Sequence, residues 1–133
     1  MYLSLFNVEE KNIFFSLAYF IVKIDGDFSV EENELIESYK TEIHEDIDES
    51  LLVNDKNEII KLYSDLDTNK KKMIIFELIG LSMCDHNFDE NEKAFVIELL
   101  HTFDSNDYFV EQCEKNIMEY LSIQEKINKS ILD

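Results

Sequence analysis

A chain of 133 residues fits one domain, and 45% apolar residues with ten phenylalanines and six tyrosines are enough for a real core, which excludes global disorder. Proline is absent and the only glycines are Gly26 and Gly80, so an all-β protein with many tight turns is excluded too. The net charge of −18 disfavours nucleic acid and anionic membrane surfaces and favours cations or a basic protein partner.

Asn7-Val8-Glu9-Glu10 has the form of a capping box, with Asn7 accepting a first-turn amide proton and Glu10 reaching back. The helix it opens is expected to run to about Ile24. Ile13, Phe14, Phe15, Leu17, Ala18, Tyr19, Phe20, Ile21 and Val22 make it apolar nearly all round, the pattern of a helix at the centre of a core. Its apolar run is too short to span a bilayer and follows Glu9 and Glu10 rather than a basic region, so neither a membrane span nor a signal peptide is expected. The expected location is cytoplasmic.

The stretch Lys23 to Glu32 ends that helix and starts another. Gly26 suits a left-handed C-cap, Ser29 with Glu32 forms a second capping box, and Phe28 is placed to staple back. Leu35, Ile36, Tyr39 and Ile43 are the core stripe of the next helix. Thr41 to Asn57 is the most acidic and least periodic part, read as a helix end, a connection and a short helical turn around Ile47 to Val53. A further helix carries Ile59, Ile60, Leu62, Tyr63 and Leu66. Asp67-Thr68 then caps a second apolar helix that holds Met73, Ile74, Ile75, Phe76, Leu78, Ile79, Leu81, Met83 and Cys84. Lys70, Lys71 and Lys72 oppose its dipole and are expected on a solvated face or paired with the acidic surface. After a second acidic turn, Asp89 with Glu92 caps a helix striped by Phe95, Val96, Leu99, Leu100 and Phe103. The last helix, from about Tyr108 to Ile127, spaces Val110, Cys113, Ile117, Tyr120, Leu121 and Ile127 for one buried face.

A shift of sixty positions aligns Asp25 with Asp85, Phe28 with Phe88 and Glu32 with Glu92. Three of the twenty pairs from Phe20–Tyr39 to Gly80–Leu99 are identical, so the repeat rests on the order of elements: buried helix, acidic turn, capping box, amphipathic helix. The expected fold is an all-α bundle of about six to seven helices in a single domain over residues 1–133, built from two pseudo-repeated hairpins. A buried helix followed by Asp-Gly-x-Phe-Ser-x-x-Glu, and again by Asp-x-x-Phe-x-x-x-Glu, resembles the tellurite-resistance TerB-like family over Ile13 to Phe103. That resemblance implies a compact all-helical domain of about seven helices, with no established enzymatic activity and a proposed role in metal-linked stress response. The family's acidic motif falls on Asp25, Gly26, Glu32, Asp85 and Glu92; His86 departs from it where the second glycine would stand.

The acidic turns mimic the second half of an EF-hand loop, but in that register the first and third ligand positions are Ile21 and Lys23, or Leu81 and Met83. An EF-hand is excluded. If the turns meet, Asp25, Asp27, Glu32, Asp85, Asp89 and Glu92 pool oxygen ligands suited to Ca2+ or Mg2+; the competing role of such residues is helix capping. A second candidate is an acidic face for a basic protein, made of Glu42, Glu45, Asp46, Asp48, Glu49, Asp55 and Glu58. From Asp25 to Glu58, thirteen acids are set against Lys40 and Lys56 alone. Cys84 and Cys113 form no CxxC pattern and are expected as buried, reduced thiols. Phosphate-cradling glycine loops and nucleophile motifs are missing. The expectation is a non-enzymatic binding module with TerB-like character, the alternative being an immunity protein that neutralises a basic toxin such as a nuclease.

Overall fold

Side-chain oxygens of Asn7, Ser29, Asp67 and Asp89 each accept a backbone N–H from the first turn of a helix. The four helices opened in this way frame the molecule. The computed structural model describes residues 2–24, 29–43, 48–84, 88–103 and 107–132. They form α1 (Val8–Val22), α2 (Val30–Glu42), α3 (Lys56–Ser64), α4 (Thr68–Met83), α5 (Glu90–Leu100) and α6 (Asp107–Leu132), with single 3-10 turns at Leu3–Leu5 and Glu49–Leu51. Among the described residues there is no strand, and the fold is an all-α bundle of six helices.

The two helices that are apolar all round take the centre. α4 packs against α1, α2, α5 and α6, and α1 packs against α3 and α4. Ile13, Phe14, Phe15, Leu17, Ala18, Ile21 and Val22 of α1 are buried with Ile74, Ile75, Leu78, Ile79, Leu81 and Met83 of α4. Phe14 meets Phe15 and Tyr39 edge-on at 5.3 and 5.4 Å between centroids, and Phe20 meets Phe95 at 4.8 Å. These ring contacts tie α1 to α2 and α5. The sixty-residue offset reaches the caps themselves: Asn7 corresponds to Asp67 and Ser29 to Asp89.

Several elements differ from the sequence expectation. α1 ends at Val22 rather than about Ile24, whereas the short helical turn expected around Ile47 to Val53 is present as the 3-10 turn at Glu49–Leu51. Gly26, Phe28 and His86 lie outside the described residues. The lysines at the start of α4 do not share a solvated face. Lys72 is exposed, Lys70 is half-buried and Lys71 is buried. Lys71 can be buried because its ammonium group donates to the Thr102 carbonyl at 3.2 Å and lies near the rings of Phe103 and Tyr63. The stripe of α6 is likewise buried only at Val110, Cys113 and Ile117, with Leu121 half-buried. Tyr120 and Ile127 are exposed, because the neighbours of α6 in the bundle cover no more than its first half. Cys113 is buried and Cys84 half-buried, and neither is in a disulfide.

Candidate functional site

The acidic turns are reached through their helix starts. At the first, Ser29 Oγ accepts the Glu32 N–H at 3.0 Å and Glu32 Oε1 accepts the Ser29 N–H at 3.0 Å. At the second, Asp89 Oδ1 accepts the Glu92 N–H at 2.8 Å and Glu92 Oε1 accepts the Asp89 N–H at 3.2 Å. Glu32 and Glu92 are buried, so Glu32, Asp89 and Glu92 act as reciprocal caps. Asp25, Asp27 and Asp85 lie outside the described residues. Among the described residues no group of three His, Cys, Asp or Glu side chains is arranged to hold a metal ion.

The second candidate site is a rim of carboxylates around the segment between α2 and α3. Asp48, Glu49, Asp55 and Glu58 are exposed and Glu42 is half-buried, while Glu45 and Asp46 lie outside the described residues. Its described part, residues 48–55, is held in place from several directions. Asp48 caps the 3-10 turn through the Ser50 N–H and hydroxyl, and those two donors hold its carboxyl below the usual range. Asp55 accepts the N–H groups of Asn57 and Glu58 at the start of α3. Val53 N–H donates to Ser16 Oγ at 3.0 Å, so the core helix α1 anchors the middle of the segment. The Tyr19 hydroxyl donates to Glu49, and Lys40 sits 3.6 Å from the same carboxylate. Burial first, and then Glu49, hold the Tyr19 phenol above its usual range despite the opposing pull of Lys40. Lys40 in turn keeps its proton more tightly than an ordinary lysine, first through the Tyr19 hydroxyl and then through Glu37. Leu51 stands 62% exposed in the same stretch, between Asp48 and Asp55 in the chain. Beside it is a groove of about 410 Å³ lined by Ser16, Tyr19, Lys23, Glu49, Leu52, Val53 and Asn54.

This arrangement can engage a protein surface. An exposed apolar side chain shares a short stretch with exposed carboxylates on a backbone held before binding, which lowers the ordering cost of association. The sequence reading named the carboxylates but missed Leu51, Tyr19 and Ser16. Leu51 lies in a stretch without periodicity, and the anchoring role of Ser16 depends on a bond to a residue thirty-seven positions away. Also missed is the buried polar set around α4, where Glu77 accepts the Tyr2 N–H at 2.9 Å and the Lys71 carbonyl accepts the Tyr63 hydroxyl at 2.9 Å. Burial holds the phenols of Tyr39 and Tyr63 protonated well beyond the usual range, which suits a structural role.

No described helix is long and apolar enough to cross a membrane. No family model, curated protein or solved structure matches the chain.

Proposed function

We propose that this protein is a non-enzymatic, acidic helical binding module that docks a basic protein through the rim of Asp48, Glu49, Asp55 and Glu58. The observation that carries this reading is Leu51, exposed between Asp48 and Asp55 in the chain on a stretch pinned to α1 through Val53. Carboxylates around an apolar anchor steer a cationic partner inward, and the anchor then supplies contact from which water is excluded. The TerB-like sequence pattern agrees with a binding role without chemistry. A basic toxin such as a nuclease is the alternative partner, since an exposed leucine flanked by acids is suited to plug a basic cleft. Stress response, tellurite resistance and toxin immunity are contexts in which such a module would work. A Ca2+ or Mg2+ site at the acidic turns is a separate reading, tested by a thermal melt with millimolar metal. An unchanged melting temperature removes it.

The docking surface is tested with a variant that keeps the caps and loses the charge: Asp48→Asn, Glu49→Gln, Asp55→Asn and Glu58→Gln. Asparagine caps about as well as aspartate, so the fold is retained. The protein and this variant are immobilised and exposed to native extract at about 50 mM and about 500 mM salt, which shortens the screening length several-fold. The expected result is capture of a basic protein by the unaltered chain at low salt, weakened at high salt and by the variant. Equal capture by both chains, or capture indifferent to salt, overturns the proposal.

A further inference from the structure

From Ser122 to Leu132 every residue of α6 is exposed, including Ile123, Ile127, Ile131 and Leu132. Eleven successive helical residues without burial lack the tertiary packing that normally sustains a helix in water. The pattern along α6 explains what is missing. Val110, Cys113, Ile117, Tyr120, Gln124, Ile127 and Ile131 follow alternating steps of three and four, the heptad spacing of a coiled coil. The first three seat in the bundle; the remaining four form a continuous stripe with nothing upon it among the described residues. Charge selects the occupant. In a chain of net charge −18, residues 118–133 carry Glu119, Glu125 and Asp133 against Lys126 and Lys129, a net of only −1. Two copies can meet on this surface with little of the repulsion between their bodies.

We infer that the protein self-associates by antiparallel pairing of the distal halves of α6 across Tyr120, Gln124, Ile127 and Ile131. The antiparallel sense follows from the same charge argument, because it puts the two acidic bodies at opposite ends while a parallel pair would bring them side by side. It also gives mixed layers: Tyr120 faces Ile131 of the second copy, and Gln124 faces Ile127. Gln124, whose side-chain amide donates to the Tyr120 hydroxyl at 2.9 Å, is then a single polar residue within an apolar seam. Such a residue fixes register at a cost in affinity. The seam from Tyr120 to Leu132 is about 20 Å long. An interface of that length falls at the low end of stable ones, so association is expected at roughly tens of micromolar.

Sedimentation equilibrium of the full chain from about 5 to about 500 μM tests this. The mass is expected to rise from 15.8 kDa towards twice that value and no further. Ile127→Asp with Ile131→Asp is expected to hold the chain monomeric at every concentration while the bundle keeps its helical signal, since both side chains are exposed. Gln124→Leu is expected to tighten association about tenfold or more by making the seam wholly apolar. A chain that is monomeric throughout, a dimer indifferent to the double aspartate variant, or a Gln124→Leu protein with unaltered association would each overturn the inference.

Discussion

Replacing Lys71 separates the contribution of its charge from that of its stem. Lys71 is 4% exposed, donates to the Thr102 carbonyl just beyond α5, and lies 5.3 Å from the Phe103 ring centroid and 5.9 Å from that of Tyr63. The last carbonyls of α5 lack partners within their helix and carry the negative end of its dipole, so a cation is favoured there. Lys71→Met keeps the stem and loses the charge. A hydrogen bond from a charged donor contributes about 1.5–3 kcal/mol, and relief from burying an ammonium group returns part of it, leaving a cost of about 1.5 kcal/mol. Lys71→Ala also loses three methylenes at about 0.8 kcal/mol each, for a total near 4 kcal/mol. An unfolding entropy of about 2.1 cal/mol/K per residue converts these to drops of about 5 °C for Met and about 14 °C for Ala. Urea unfolding with linear extrapolation measures both costs directly. A methionine variant as stable as the unaltered protein would refute the claim that the buried charge stabilises the fold.

Glu32→Gln and Glu92→Gln keep an oxygen that accepts the cap N–H, so each is expected to cost well under 1 kcal/mol, against about 1 kcal/mol or more for alanine. Equal losses for glutamine and alanine in denaturant melts would contradict the capping role. Gly80→Ala is expected to stabilise by about 0.5–1 kcal/mol, because the new Cβ meets Ile117 Cδ1 at an ordinary 4.0 Å and helical alanine is favoured over glycine. A lower melting temperature would show that α4 and α6 need the closer approach. Burial pushes the Cys113 thiol up to about 11, above an ordinary value near 8.5. Its neutral form therefore contributes stability that is complete below about pH 8.5 and is lost as the pH rises through about 11. Unfolding free energies across that range should fall less steeply for Cys113→Ala, and parallel slopes would count against the assignment.

The caps were legible because a capping box is a local object. Asn7 with Glu10, Ser29 with Glu32 and Asp89 with Glu92 each satisfy their bonds within four residues, so spacing alone specifies them. Lys71 was illegible for the opposite reason. Its burial depends on a carbonyl thirty-one residues away and on rings from other parts of the chain, and a lysine in an early helical turn looks solvated without them. Leu51 is a similar case, since an exposed leucine in an aperiodic stretch acquires meaning only when Ser16 holds the Val53 N–H and Tyr19 the Glu49 carboxylate on either side of it. Spacing revealed the stripe of α6 but not its cover, which depends on where the other helices stop.

The relation between the two halves is sharpest where they differ. Glu10 and Lys70 occupy the same position in the repeat, the third residue of each core helix. In α1 that residue completes the capping box; in α4 it is lysine, so Asp67 caps without a reciprocal bond. The lysine reaches the other half instead. Its Nζ lies 3.4 Å from Glu10 Oε1, donates to the Leu5 carbonyl and sits 5.3 Å from the Phe6 ring centroid. A glutamate at position 70 would set a second carboxylate beside Glu10, and the two would repel across a partly buried contact. The departure from symmetry at Lys70 thus gives up half of one cap and gains an ion pair that fastens the start of α1 to the start of α4.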